Sequence, residues 1–454
     1  VPFPSSLTTG PILPTLLRLA APNVLAMTMT VAVGVAETRY VGLLGTTALA
    51  AMALVFPFSM LVQMMSAGAM GGGVSSAVAR ALGAGDAARA RTLAWHAMVI
   101  GTAGGLASAL VFLALGPWLY GLIGGQGEVL DEAVRYAAVV FSGALLVWWV
   151  NTLMSILRGT GDMRTPSVTM LAVAALQIAV GGALGLGLGP FPRLGMPGVA
   201  LGQIAAMAVA AAFLAWWLGS GRARFTLAWG GVQPRRELFV DILKVGGVAL
   251  LSPVQSVLTM LVFTALVARL GVAPLAGYGI GQRLEFMLIP IAFGIGVAAV
   301  PMVGMAMGAG DPTRAKRVAW TAGALSAANL GVLGSIVALW PDTWAGLFTQ
   351  DPDVLAHARL YLRWAGPAFA FFGLGVTLYF ASQGSGRILG PVVAATVRLV
   401  LVAGAGAWLA AAGAPAWAMF ALVALGMLVY GLATALAVHR SRWGHTAGVN
   451  ARSR

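Results

Sequence analysis

Long apolar runs follow one another along almost the whole chain, and no other feature restricts its fold so severely. A helix needs about 20 mostly apolar residues to cross the hydrocarbon of a bilayer, and a water-soluble core has no use for a dozen such segments. The composition agrees, at 59% hydrophobic and 9% charged, where an ordinary soluble chain has about 45–50% and about 25%. The expected fold class is an all-α polytopic membrane protein. Twelve transmembrane helices are expected, near 13–41, 48–70, 93–115, 134–157, 166–188, 199–218, 242–270, 275–307, 318–340, 357–381, 391–412 and 417–438. The second is expected to end at Gly71-Gly72-Gly73.

The chain is also duplicated. Gly83–Trp95 (GAGDAARARTLAW) and Gly308–Trp320 (GAGDPTRAKRVAW) agree at eight of thirteen positions, at an offset of 225 residues. Arg158-Gly-Thr-Gly161 with Pro166 recurs at the same offset as Gln383-Gly-Ser-Gly386 with Pro391. Two matches at one spacing, near half the chain length, mark a tandem repeat. Six helices return each half to the side from which it started, so two pseudo-symmetric six-helix bundles are expected as parallel repeats. The expected division is an N-terminal lobe at 1–218, a connecting loop at 219–240, a C-terminal lobe at 241–438 and a basic tail at 439–454.

The net charge of +14 rests on 27 basic residues, of which only Lys244 and Lys316 are lysines. Most lie in alternate loops and the tail, densest at Arg222, Arg224, Arg235, Arg236 and Lys244, while Glu128, Asp131, Glu132, Asp342, Asp351 and Asp353 lie in the opposite loops. This asymmetry reads as membrane topology, with both termini cytoplasmic in the cell membrane, and not as a nucleic-acid footprint. Trp118, Trp148, Trp149, Trp216, Trp217, Trp340 and Trp344 stand near helix ends, where interface anchors are expected. Beginning at Val1 and not at a methionine, the sequence leaves its true N-terminus open. No removable signal peptide is expected.

Several chemistries lack their residues. There is no cysteine for a disulfide or a thiolate metal site. Neither lysine stands in a GxxxxGK[ST] context, so direct ATP drive is not expected. His96, His357, His439 and His445 have no paired metal spacing, and Asp351-Pro-Asp353 reads as a helix cap. No enzyme, metal or cofactor is expected.

What remains is the small set of ionisable side chains at membrane depth: Glu37, Glu285, Arg39, Arg283 and Arg398. A charge in hydrocarbon costs at least about 2.5–3.5 kcal/mol, so each is a functional candidate. Glu37 also has a structural reading: at nineteen residues beyond Arg18, or about 28 Å of helix, it can reach toward the far interface. Arg39 points elsewhere at i+2, as Arg283 does from Glu285, so cross-helix pairs such as Glu37 with Arg283 are to be considered. Arg398 is expected to snorkel toward the inner edge. With Gly45 aligned to Gly271, Glu37 faces Phe263 and Glu285 faces Ser59, so neither acid has a charged counterpart in the other half. Departure from internal symmetry is expected where a half carries function. Seven methionines between Met27 and Met70 suit either an adaptable apolar surface or core filling.

At these residues the chain resembles the multidrug and toxic compound extrusion (MATE) family. The resemblance spans about 14–440 and rests on Leu19-Ala-Ala-Pro22, Glu37-Thr-Arg-Tyr-Val-Gly42, the Gly-Ala-Gly-Asp loops, Leu157-Arg-Gly-Thr-Gly-Asp162 with Thr165-Pro166, and Gly279-Ile-Gly-Gln-Arg-Leu-Glu285. It implies two six-helix lobes, a central cavity, and export of organic cations or other amphipathic compounds by proton or sodium antiport. Within the family the chain is similar to the DinF-like branch: the acids that NorM-like members carry in helices 7 and 10 are missing, and position 37 holds glutamate where the DinF-like pattern has aspartate.

The expected function is a monomeric proton-coupled antiporter working by alternating access. Glu37, Glu285 and Arg283 are the coupling candidates, and Pro22 and Gly34 are places for helix 1 to bend. Asn23, Met27, Tyr40, Met60, Met64, Asn151, Gln177 and Arg398 are the cavity candidates, with cation–π help from Tyr40 or Phe56. Three alternatives stay open. Sodium coupling would draw on Asn23, Thr28, Thr30 and Thr38 around Glu37. A lipid-precursor flippase of the same superfamily would need several cavity arginines. A passive channel would be indifferent to gradients.

Overall fold

The computed structural model describes residues 5–223, 225–227 and 232–444, and all regular structure among them is helical. Val1, Arg224 and the tail beyond Gly444 lie outside the described residues. The helices are α1 (Ser5–Thr8), α2 (Ile12–Leu44), α3 (Thr46–Gln63), α4 (Gly71–Gly83), α5 (Ala87–Leu122), α6 (Gly127–Ser142), α7 (Ala144–Gly159), α8 (Arg164–Leu186), α9 (Met196–Gly219), α10 (Arg236–Ala249), α11 (Leu251–Ala268), α12 (Val272–Gly308), α13 (Pro312–Leu339), α14 (Asp342–Ala345), α15 (Pro352–Ser385), α16 (Leu389–Ala411) and α17 (Ala416–Arg440). Among the described residues eleven helical stretches are long and apolar enough to cross a membrane, and α6 with α7, bent by 41° between them, make a twelfth.

Two packing units divide the chain. Unit 1 holds Arg18–Val78 and Ala88–Leu258; unit 2 holds Ala79–Ala87 and the chain from Thr259, together with the segment leading to Leu17. These units are not cut where the repeat cuts the sequence, because helices α2, α4 and α11 each pass from one into the other. In unit 1, α8 lies along α9, and α6 and α7 pack on α9 and α3; in unit 2, α15 is central, flanked by α12, α13 and α17.

The glycine triplet Gly71-Gly72-Gly73 does not end the second span. Helix runs through it to Gly83, after a π-helical turn at Met64–Met70. The glycines serve close approach instead: a Cβ on Gly71 would lie 2.5 Å from Ser155 Oγ, and one on Gly73 would lie 2.6 Å from the Gly246 amide. In lipid, helices associate through such small-residue contacts, so glycine here is an interface residue and not a breaker.

The repeat is legible in the backbone. Gly85 (φ 79°) and Gly310 (φ 77°) close the same left-handed turn, with Asp86 N–H bonded to Ala81 O at 3.0 Å and Asp311 N–H to Ala306 O at 2.9 Å. Asp311 then caps α13 by accepting from the Arg314 amide at 2.8 Å. The cap read at Asp351 is present as well, accepting from the amides of Asp353 and Val354.

Two of the expected interface tryptophans turn their indole N–H to a neighbouring helix, Trp148 buried and Trp149 half-buried. Trp148 is 3% exposed and donates to Ser108 Oγ at 3.1 Å, and Trp149 donates to Thr102 Oγ1 at 2.9 Å. Gly104 opens the groove that receives the Trp148 ring, since a Cβ there would lie 2.5 Å from it. Trp118, Trp216 and Trp340 stay exposed.

Candidate functional site

Helix α2 carries the first acid, and α8 supplies its partner. Glu37, half-buried, accepts a hydrogen bond at 2.7 Å from Nε2 of Gln177, itself 8% exposed. One turn on, the Tyr40 ring lies against Gly182 of α8, where a Cβ would come within 2.9 Å of it. The two contacts turn one face of α2 onto α8. The carboxylate is bonded within unit 1. Tyr136 of α6 lies within electrostatic reach of it. Arg39, two residues on, is exposed, as i,i+2 spacing on a helix requires.

The other candidates of unit 1 sort by what they touch. Asn151 is 2% exposed and donates to Ser66 Oγ at 2.8 Å and Gln63 Oε1 at 3.3 Å, so it ties α7 to the π turn. Asn23 is fully buried on α2, while Met27, Met60 and Met64 are half-buried. Helix α2 passes Pro22 without interruption, and a Cβ at Gly34 would meet nothing within 4 Å. The hydroxyls named for a sodium site bond their own helix: Thr28 to Val24 O at 2.9 Å, Thr30 to Ala26 O at 3.3 Å, and Thr38 to Gly34 O at 2.7 Å.

Unit 2 holds the second acid in an aromatic setting. Glu285 of α12 accepts a hydrogen bond from the hydroxyl of Tyr361 on α15. The Tyr361 ring is wedged edge-on between Tyr278 and Phe420, each 5.4 Å away, in the space left by the missing side chain of Gly281. Gln282 donates to the Tyr278 hydroxyl at 2.9 Å. Arg398 of α16, for which snorkelling is the expectation from sequence, is half-buried among aromatic rings. Its guanidinium lies over Tyr430 at 5.4 Å and Phe372 at 5.9 Å, within electrostatic reach of Glu285. Stacking on ring faces offers a desolvated guanidinium what snorkelling would otherwise provide. Arg283 parts from Glu285: it is exposed and lies over Phe348 at 5.0 Å.

Sequence reasoning named Tyr40 and passed over Tyr136 and Tyr361. Tyr136 and Tyr361 stand at the repeat offset of 225, the only two of seven tyrosines to do so. Tyr361 bonds the acid of its own unit and Tyr136 lies within electrostatic reach of the other, although the acids come from helices at different places in the two halves. That shared offset was the available signal. Tyr361→Phe is expected to leave the half-buried carboxylate of Glu285 without its donor and to lower stability by about 1 kcal/mol, read as an earlier thermal unfolding of the purified protein.

Comparison with known proteins gives a family. The profile described as MatE matches residues 22–181 and 249–409, one segment in each half. The chain is 27% identical to a protein named FAD transporter from Shewanella oneidensis, over 87% of each chain. It is 28% identical to a probable multidrug resistance protein NorM of Thermotoga maritima, over 83% of this chain and 81% of that one. The fold is similar to that of a MOP superfamily transporter from Pyrococcus furiosus, with a TM-score of 0.88 at 23% identity over 96% of both chains.

Proposed function

The chain belongs to the MatE family, and on that premise we propose that it is a secondary active exporter, exchanging amphipathic or cationic small molecules for protons by alternating access. The observation that carries the coupling is the bond between Glu37 and Gln177 inside unit 1. A carboxyl held at membrane depth by a neutral donor can be loaded and released as its solvation changes, because burial favours the neutral form of a carboxyl group and water the charged one. Helix α2 carries that acid together with Pro22 and Gly34, so a rearrangement of one helix alters its surroundings. Met27, Tyr40, Met60 and Met64 offer polarizable and aromatic surface to a substrate. In this reading the transporter is a monomer in the cell membrane with both termini in the cytoplasm, and 1–218 and 241–438 act as its lobes.

Protons are favoured over sodium by the donor set. Sodium requires several oxygen ligands, whereas Gln177 turns its N–H toward Glu37 and the three threonine hydroxyls donate to their own helix. The test is efflux of a fluorescent organic cation from proteoliposomes under an imposed pH gradient and, separately, a sodium gradient. Wild type is expected to respond to the pH gradient alone. Drive by sodium would keep the carrier and overturn the coupling ion; indifference to both would favour a channel.

A second reading has one observation behind it. Arg398 over Phe372 and Tyr430, beside Glu285, suits a flat substrate that carries negative charge. The relative named FAD transporter makes flavin adenine dinucleotide the probe to load in the same vesicles. Export of that probe, lost in Arg398→Gln while cation efflux persists, would establish this reading.

A further inference from the structure

Arg158 ends α7 inside unit 1, and nothing in the transport reading uses it. It is 3% exposed, its Nε has no hydrogen-bond partner among the described residues, and Nη2 meets the thioether of Met170 at 3.6 Å. Among the described residues no carboxylate forms an ion pair with it. Asp162, one turn on, is spent on the α8 cap, accepting from the Thr165 amide at 3.0 Å. A guanidinium does not relieve burial by giving up its proton. A buried cation needs a counter-charge, and the C-terminal dipole of α7 falls well short of supplying one.

The surroundings are donors in search of an acceptor. Ser167, one turn before Met170 on α8, is 2% exposed and its hydroxyl has no partner. Ser75, whose carbonyl would lie 2.8 Å from a Cβ on Gly159, is 4% exposed with an unpartnered hydroxyl. The Met170 contact points the guanidinium at the first turns of α8, the positive end of that helix. The guanidinium, the two hydroxyls and the start of α8 favour negative charge. At the same repeat position the second half has Gln383, a neutral side chain that needs no counter-ion.

We propose that Arg158, with the hydroxyls of Ser75 on α4 and Ser167 near the start of α8, binds a small inorganic anion, chloride in the cell. The anion compensates the guanidinium and locks α7 to α8 in the first half only. The site is structural and independent of Glu37. A monatomic anion fits a place where Arg158, Ser75 and Ser167 are each at most 4% exposed.

The test is thermal unfolding of the purified full chain in neutral-lipid nanodiscs, in sodium chloride against sodium gluconate at equal ionic strength and pH. Wild type is expected to melt about 3 °C or more higher in chloride. Arg158→Gln, which installs the residue of the second half, is expected to lose that difference. Ser167→Ala, a milder change that keeps the protein folded if the first variant does not, is expected to raise the chloride concentration for half the shift about fivefold. Indifference of wild type to chloride, or an undiminished shift in both variants, overturns the proposal. So does a shift that follows phosphatidylglycerol content and not chloride, which would assign the pocket to a lipid phosphate.

Discussion

Export driven by a pH gradient is expected to fall by about a hundredfold or more in Glu37→Gln, to the level of protein-free vesicles. Glutamine keeps the size and polarity of the side chain and can still pair with the Gln177 amide, so the helix contact through Tyr40 and Gly182 survives. What is lost is the exchangeable proton. Substrate binding to the substituted protein should therefore persist while transport stops, a separation that a folding defect would not produce. The sign with pH follows from the exchange. Wild-type export slows as the pH rises on the side that loads Glu37, whereas the residual flux of Glu37→Gln is flat. Glu37→Asp, the residue of the DinF-like pattern, withdraws the carboxylate by one carbon, about 1.5 Å. The 2.7 Å bond from Gln177 then opens unless α2 shifts, and intermediate activity is the expected outcome. Full activity in Glu37→Gln under the same gradient would remove Glu37 from the coupling and leave Glu285 as the acid to examine.

Much of the fold could be read from residues because lipid imposes a simple demand. The twelve spans follow from apolar length alone, and the turns at Gly85 and Gly310 from a motif that recurs at a fixed offset. The misreadings share a cause. Gly71-Gly72-Gly73 looked like a stop because glycine breaks isolated helices, yet in a membrane the same residues mark where helices touch. Arg158 stands in the sequence only as part of a repeated motif, and only packing shows it 3% exposed against Met170 of α8. Arg398 is expected from sequence to snorkel, and nothing in one sequence places the aromatic faces of α15 and α17 beside it. Glu37 and Gln177 were both named as candidates, 140 residues apart, and nothing in one sequence says that they meet. Partners across helices are set by rotation and packing angle, which hydropathy does not encode.

The second large effect is expected where the repeat crosses itself. Gly83 closes α4 and Gly308 closes α12, at equivalent positions of the two halves and within one packing unit. A Cβ on Gly83 would overlap the carbonyl oxygen of Met305, and a Cβ on Gly308 would overlap that of Arg80, residues that are themselves equivalent at the same offset. The contact is thus reciprocal: each helix end lays its glycine on the backbone of the other. Backbone offers no rotamer to yield, so Gly308→Val must separate the two ends and with them the hydrogen bonds of both Gly-Ala-Gly-Asp turns. Overpacking of this kind costs about 3 kcal/mol or more. In a chain of this size that is a fall of several degrees in the unfolding temperature, or loss of folded protein from the membrane. Gly83→Val should match it, because the geometry is symmetric. Gly404→Ala is the control: nothing lies within 4 Å of its Cβ, and alanine in an open helix position should stabilise by a few tenths of a kcal/mol. If Gly308→Val unfolds at the temperature of Gly404→Ala, the crossing is looser than described and the repeated motif serves its turns alone. If both valine variants fail together, the glycines at the ends of α4 and α12 are retained in both halves because the duplicated helices rest on one another at that point.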